Sequence, residues 1–202
     1  MRNCCKERIQ GDARMKDSHS DIVLIGAGVV GLTTALKLAE RNVSVTLLDR
    51  QQVGREASWA GAGMVPPGNP DRATTPEARL RSYSHSLWPE FAEDLVARTG
   101  IDIGYHICGA IEVCNAEASD LLQKNYEHWT AEGIRAERFS SREVRQYVAD
   151  LDARFDSAIY LPDFGQIRNP RYLQALKSAC LERGVEILEH VDALHLRKSG
   201  DR

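Results

Sequence analysis

The stretch Asp21–Asp49, DIVLIGAGVVGLTTALKLAERNVSVTLLD, constrains the fold most, because three spaced glycines follow one apolar run and an acid ends the next. Ile22 to Ile25 is continuously apolar, which suits a short strand buried on both faces of a parallel sheet. Gly26, Gly28 and Gly31 then fit G-x-G-x-x-G. In that pattern the first glycine permits the turn, the second lets backbone approach a pyrophosphate, and the third lets the helix pack on the strand. A helix from Val29 to Arg41 puts Leu32, Ala35, Leu36 and Ala39 on one face and aims its first amides where a phosphate would sit. A second strand, Val43 to Leu48, ends at Asp49, eighteen positions after Gly31, where such units hold a ribose by its hydroxyls. A glycine turn that only packs a helix accounts for the glycines and leaves Asp49 unexplained. The stretch therefore predicts a dinucleotide-binding βαβ unit.

Composition narrows the class around it. With 202 residues, 43% of them hydrophobic, and a formal charge of −3, the chain is globular, with room for one or two domains. Lys and Arg are scattered, so nothing points to nucleic acid. No stretch approaches the ~20 apolar residues of a membrane helix. The five cysteines, at 4, 5, 108, 114 and 180, lack paired C-x-x-C spacing, so neither a disulfide framework nor a metal site is indicated and a cytoplasmic location is expected. The polar residues 1–20 read as a disordered leader, and Met15 is an alternative start.

The second informative stretch is RQQVGREASWAGAGMVPPGNP. Gly54, Gly61 and Gly63 alternate with Ala57, Ser58, Ala60 and Ala62, small residues that let backbone amides come close to a ligand. Ser58 also suits the cap of a short helix. In this order GAGVVG, Asp49 and GREASWAGAGM resemble the flavin-dependent amine and D-amino acid oxidase family, and within it the branch of glycine oxidases that supply an imine for thiamine thiazole synthesis. The resemblance implies an α/β, Rossmann-like FAD-binding domain with part of an antiparallel-sheet substrate domain of α+β type. It implies FAD as cofactor. Carried over by position, it places Val29 and Val30 at the pyrophosphate beside Gly26, Gly28 and Gly31, Asp49 and Arg50 at the adenosine ribose, and Ala57 and Ser58 along the diphosphate. Ala62, Gly63 and Met64 would lie near the isoalloxazine ring, and Ala193 at the adenine; core filling accounts for Met64 equally well. A small amino acid or amine as substrate, molecular oxygen as co-substrate and a homo-oligomer are what the family leads one to expect.

Downstream, Thr75 caps a helix that runs to Gly100, with Pro76 at its first position, Leu80, Tyr83, Leu87, Phe91, Leu95 and Val96 as its apolar face, and Pro89 as a break. Ile101–Asn115 changes period and predicts two short antiparallel strands; His106 there is a candidate base, though a packed or surface histidine reads the same way. Ala116–Gly133 predicts a helix with Leu121, Leu122, Tyr126 and Trp129 inward, and Ser140 with Glu143 a capping box. Ala158–Leu161 reads as strand and Asp163–Asn169 as loop. Asn169 then caps a helix ending at Gly184, before strands Val185–Leu188 and Ala193–Leu196. The expected organisation is an FAD-binding domain over 21–99 and 166–202, interrupted by a partial substrate domain over 100–165. Family members continue beyond the match, and their carboxylate-binding arginine has no counterpart to map here. Arg168 and Arg171 are weak substitutes, catalytic residues are unassigned, and a catalytically incomplete FAD-binding module is the alternative to an oxidase.

Overall fold

The computed structural model describes residues 19–195, so the expectations for residues 1–18 and for residues 196–202 lie outside the described part. Three strands, β1 (Ile22–Ile25), β2 (Val45–Leu48) and β9 (Glu186–Leu188), form a parallel sheet in the order β1-β2-β9. Helix α1 (Val29–Ala39) connects the first two, in register from Ile22 opposite Val45 to Ile25 opposite Leu48. Helix α6 (Asn169–Glu182) lies beside α1, and together they cover one face of this sheet. Leu32, Ala35 and Leu36 of α1, Val45 and Leu47 of β2, and Leu173, Leu176 and Ala179 of α6 make the centre of the core. Burying such side chains contributes roughly 1.5–3 kcal/mol each, which is why this face is apolar throughout.

The expectation that β1 is buried on both faces is corrected. Val23 and Ile25 are 56% and 59% exposed, and the row they begin continues as Thr46 and Glu186, joined by a 2.9 Å hydrogen bond from the Thr46 hydroxyl. Among the described residues no helix covers that face, so burial alternates along the strand. The second strand begins at Val45 because Asn42 turns with a positive φ of 61° after α1. The expected strand at Ala193 is absent through residue 195.

Helix α3 (Pro76–Thr99) runs unbroken through Pro89, another correction. An interior proline costs about 3 kcal/mol. Here it lies between Trp88 and Phe91, which pack with Tyr105 and Tyr172 (ring centroids 5.3–6.3 Å apart) against α6, and that burial offsets the lost bond. The Thr75 hydroxyl accepts the Ala78 amide at 3.1 Å, and Gly100 ends the helix with φ 68°. The buried side is Ala78, Ser82, Ala92 and Leu95, whereas Leu80, Tyr83 and Leu87 are exposed, contrary to the periodicity.

Two small antiparallel sheets follow. One has the order β3-β8-β4, with β3 (Met64–Val65), β8 (Gly165–Gln166) and β4 (His106–Ile107). The other is β5-β7-β6, with β5 (Ala110–Cys114), β7 (Ser157–Leu161) and β6 (Glu137–Ser140). The two strands expected in 101–115 thus belong to different sheets, and the expected loop 163–169 contains β8. Strand β6 has no counterpart in the sequence reading. Helix α4 (Ser119–Ala131), entered by a 3-10 turn, packs Leu122, Tyr126 and Trp129 on Ile159 and Leu161; Leu121 points outward at 62% exposure. The capping box of α5 (Ser141–Tyr147) forms as expected, with Ser140 and Glu143 exchanging bonds. The buried pair of Arg81 and Glu132, with the Arg81 guanidinium over Trp129, fixes α4 to α3.

Candidate functional site

At the carboxyl end of the parallel sheet lies a cavity of about 200 Å³ lined by Gly28, Asp49, Gly54, Arg55, Glu56, Ala57 and Ser58. The local sequence builds it from two turns. β1 leaves the sheet at Gly26, whose φ of 100° only glycine adopts readily, and the Gly26 amide donates to the Leu48 carbonyl at 2.8 Å. Gly31 must be glycine for a separate reason: a Cβ there would stand 1.9 Å from the Gly26 carbonyl oxygen. The turn and the first helical turn are therefore pressed together. Gly28 leaves the third gap, where a Cβ would meet the Ser58 hydroxyl at 2.9 Å.

Asp49 and Ser58 close this frame. The Asp49 carboxylate accepts the Ala27 amide at 2.7 Å through one oxygen and the Gln51 amide at 2.8 Å through the other. Ser58, expected as the cap of a short helix of its own, instead lies inside α2 (Ala57–Ala60), whose cap is Glu56, and accepts the Val29 amide at 3.0 Å. It therefore caps α1, in the place where a phosphate oxygen would be received. Val30 stands beside it, 77% exposed. Arg50 is held at the rim by Glu56, which accepts from Nε at 3.0 Å and Nη2 at 2.7 Å; that hydrogen bond, and then the Glu56 charge, raise the Arg50 pKa. Arg55 stacks on Trp59 with its guanidinium 4.0 Å from the ring centroid. Arg55 and Glu56 line the cavity and escaped sequence reasoning, because single exposed charges carry no periodic signal.

The segment after β9 runs alongside. The Asp49 amide donates to Leu188 O and the Val191 amide to Asp49 O, both at 2.9 Å, so Ala193 lies two residues beyond a contact with Asp49 and is exposed. Ala62, Gly63 and Met64 fall outside the cavity. Gly63 has φ 74° and sits where a Cβ would be 2.1 Å from Ile167 O, which seats β3 against β8; Met64 is 68% exposed. Asn169 does not cap α6; that position is Arg168, and the Asn169 amide packs at Gly61 and Gly63. Arg168 and Arg171 secure the 102–104 loop: the Arg168 stem lies over Gly104, and Arg171 donates to Asp102 O at 3.3 Å. His106 is exposed, with Nδ1 3.0 Å from Gly104 O. Among the described residues no group of three or more His, Cys, Asp or Glu side chains converges as a metal site, and no helix is long and apolar enough to cross a membrane.

The model of the family described as "DAO: FAD dependent oxidoreductase" matches residues 21–202, and so takes in both turns, the cavity and all three sheets. The chain belongs to that family. Within the DAO family it is 32% identical over 183 residues to a glycine oxidase of Pseudomonas aeruginosa, covering 90% of this chain and 49% of that protein. It is 31% identical to the bifunctional protein ThiO/ThiG of a Synechocystis, over 85% of this chain and 25% of that one. The crystal structure of a glycine oxidase from Bacillus cereus superposes with a TM-score of 0.81 at 26% identity, over 90% of this chain and 49% of that one. The chain thus spans about half the length of the glycine oxidases it matches. The cofactor of the DAO family is FAD, and the cavity fits its diphosphate end: Gly28 at the start of α1, where a Cβ would fill the gap to Ser58, and the Asp49 carboxylate, with lone pairs beyond its two amide bonds, stand within one space of about 200 Å³.

Proposed function

We infer that this chain holds FAD through its βαβ unit, as part of a glycine-oxidase-like enzyme that oxidises a small amino acid or amine to its imine. The observation that carries this reading is the shared cavity of Gly28, Asp49 and Ser58, closed by the loop that continues to Met64. Gly26, Gly28 and Gly31 with Val29 and Val30 would receive the diphosphate, Ala57 and Ser58 would line it, and Asp49 and Arg50 would take the ribose. The exposed segment at Ala193 would meet the adenine, and Ala62, Gly63 and Met64 the ring. FAD, when bound, supplies the acceptor for the two electrons leaving the substrate, and oxygen takes them on as hydrogen peroxide. The protein's part is orientation and electrostatics: helix-start amides neutralise the diphosphate, while Asp49 accepts from hydroxyls that a phosphate there would not offer. The likeness to ThiO/ThiG supports a place in thiamine biosynthesis.

A second reading, a chain that binds FAD without turnover, is favoured by a specific observation. Arg168 and Arg171, which follow the β8 strand paired with Met64, pack on the 102–104 loop. Flavin retention and peroxide release with glycine, sarcosine and D-alanine separate the readings. Bound flavin with peroxide supports the oxidase, bound flavin without it supports the binding module, and no retained flavin removes both.

A further inference from the structure

We propose that the cavity between β5 and α4 is a binding site for a small apolar ammonium compound, held by Glu112 and Asn125 and separate from the Gly28–Ser58 cavity. It has a volume of about 490 Å³ and opens where the chain turns from β5, through the 3-10 turn at Ala116–Ala118, into α4. Asn115 fixes that turn by accepting the Ala118 amide at 3.2 Å. Register puts Glu112 opposite Ile159, on the face that α4 covers, so its carboxylate lies between sheet and helix. A carboxylate in an otherwise apolar layer needs a partner.

The hydrogen bonds around Glu112 define what it can still accept. Trp129 Nε1 donates to one carboxylate oxygen at 3.2 Å and Asn125 Nδ2 to the other at 3.1 Å. Both donors are neutral, and among the described residues Glu112 has no ion-pair partner. Its charge is therefore oriented but not neutralised, and lone pairs remain on both oxygens. Because a carboxylate only accepts, Asn125 turns its amide nitrogen to Glu112 and keeps Oδ1 as a second acceptor. Two acceptors and one unpaired negative charge match an ammonium group, which has donors only. Leu121, Leu122 and Phe155 line the rest of the cavity and suit a short hydrocarbon tail. Among the described residues no Lys, Arg or His lines it, so nothing there receives the carboxylate of an amino acid. The ligand is an amine without a carboxylate.

Cys114 stands in the cavity wall at 6% exposure, so the rate at which a small alkylating agent reaches it on the full chain reports occupancy. With a dissociation constant of about 1 mM, n-butylammonium at about 10 mM should slow Cys114 about tenfold, as mass action requires. Cys108 and Cys180, which lie outside the cavity, should keep their rates, and sodium butyrate or glycine at the same concentration should protect none of the three. Glu112→Gln keeps the shape and removes the charge, and should reduce the protection to about twofold or less. If that variant fails to fold, Leu121→Trp serves: it narrows the mouth from a position 62% exposed and should abolish the dependence on n-butylammonium. Absent protection, equal protection by butyrate, equal slowing at Cys180, or protection that survives Glu112→Gln overturns the site. Retention or loss of FAD bears only on the other cavity, since Glu112 belongs to a different sheet.

Discussion

The Asp49 carboxylate accepts the Ala27 amide at 2.7 Å, so the acid ending the second strand also pins the glycine turn that ends the first. Its role is double: it shapes the turn and keeps open lone pairs toward the cavity. Asp49→Ala should therefore loosen the turn and remove the ribose acceptor together, lowering FAD affinity at least tenfold, about 1.4 kcal/mol. Asp49→Asn should fall between, since its amide hydrogens oppose one of the two donors, Ala27 N and Gln51 N. A fluorescence titration with FAD reads both; equal affinities in all three proteins would take Asp49 out of the site.

Gly31 and Gly28 are constrained by different partners, and substitution should tell them apart. Alanine at Gly31 drives its Cβ to 1.9 Å from backbone, the Gly26 oxygen, which cannot rotate away; the expected cost is about 2 kcal/mol or more in a denaturant melt. Alanine at Gly28 meets only the Ser58 hydroxyl at 2.9 Å, and Gly28 has an ordinary φ of −76°. Ser58→Ala alone loses the cap on Val29, about 1 kcal/mol. In the double variant the clash disappears with the hydroxyl, so the combined loss should be smaller than the two single losses added. Strict additivity would show that the two side chains do not meet.

What the sequence made legible was local. The glycine turn, the cap at Thr75 and the box at Ser140 depend on residues within a few positions of each other, the acid at position 49 on one βαβ unit, and each appears where the pattern put it. The larger misreadings involve distant partners. The second face of β1 depends on what lies over Val23 and Ile25, the true role of Ser58 on Val29 across 29 positions, and the pairing of β8 on β3 across about a hundred. Pro89 shows the same thing for helices: its propensity argues for a break, and the aromatic packing of Trp88 and Phe91 on Tyr172 outweighs it.

Glu189 connects stability at acid pH to the cavity wall. It accepts from Lys177 Nζ and from the Val53 amide, both at 2.8 Å, and Val53 precedes Gly54 of the cavity. The Lys177 hydrogen bond first, and the Val53 amide next, lower its pKa below the ordinary glutamate value. A depressed folded-state value means the contribution is complete above the unfolded glutamate range, near pH 4.3, and is lost as pH falls through the folded value. Glu189→Gln should cost up to about 1 kcal/mol at neutral pH, the ceiling for a partly exposed pair, and the deficit should vanish in acid. Melting temperatures across the acid range test it; a deficit that grows on acidification would reverse the assigned sign.

The cysteines provide a probe of the core that needs no cofactor. Cys180 is fully buried between α6 and α1, its thiol donating to Leu32 O at 3.3 Å, and burial pushes its pKa up to about 12. At about pH 8 roughly one thiol in 10⁴ is then ionised, and only the thiolate attacks an alkylating agent. Cys108 is exposed. Alkylation followed by peptide mass analysis should therefore modify Cys108 readily and reach Cys180 only through opening of the α1–α6 contact. Mild denaturant should raise the Cys180 rate steeply and leave that of Cys108 nearly unchanged. Since α1 begins at the Val29 amide capped by Ser58, saturating FAD should slow Cys180 further if it tightens the start of that helix. Equal native rates at the two sites would contradict the packing of α6 on α1.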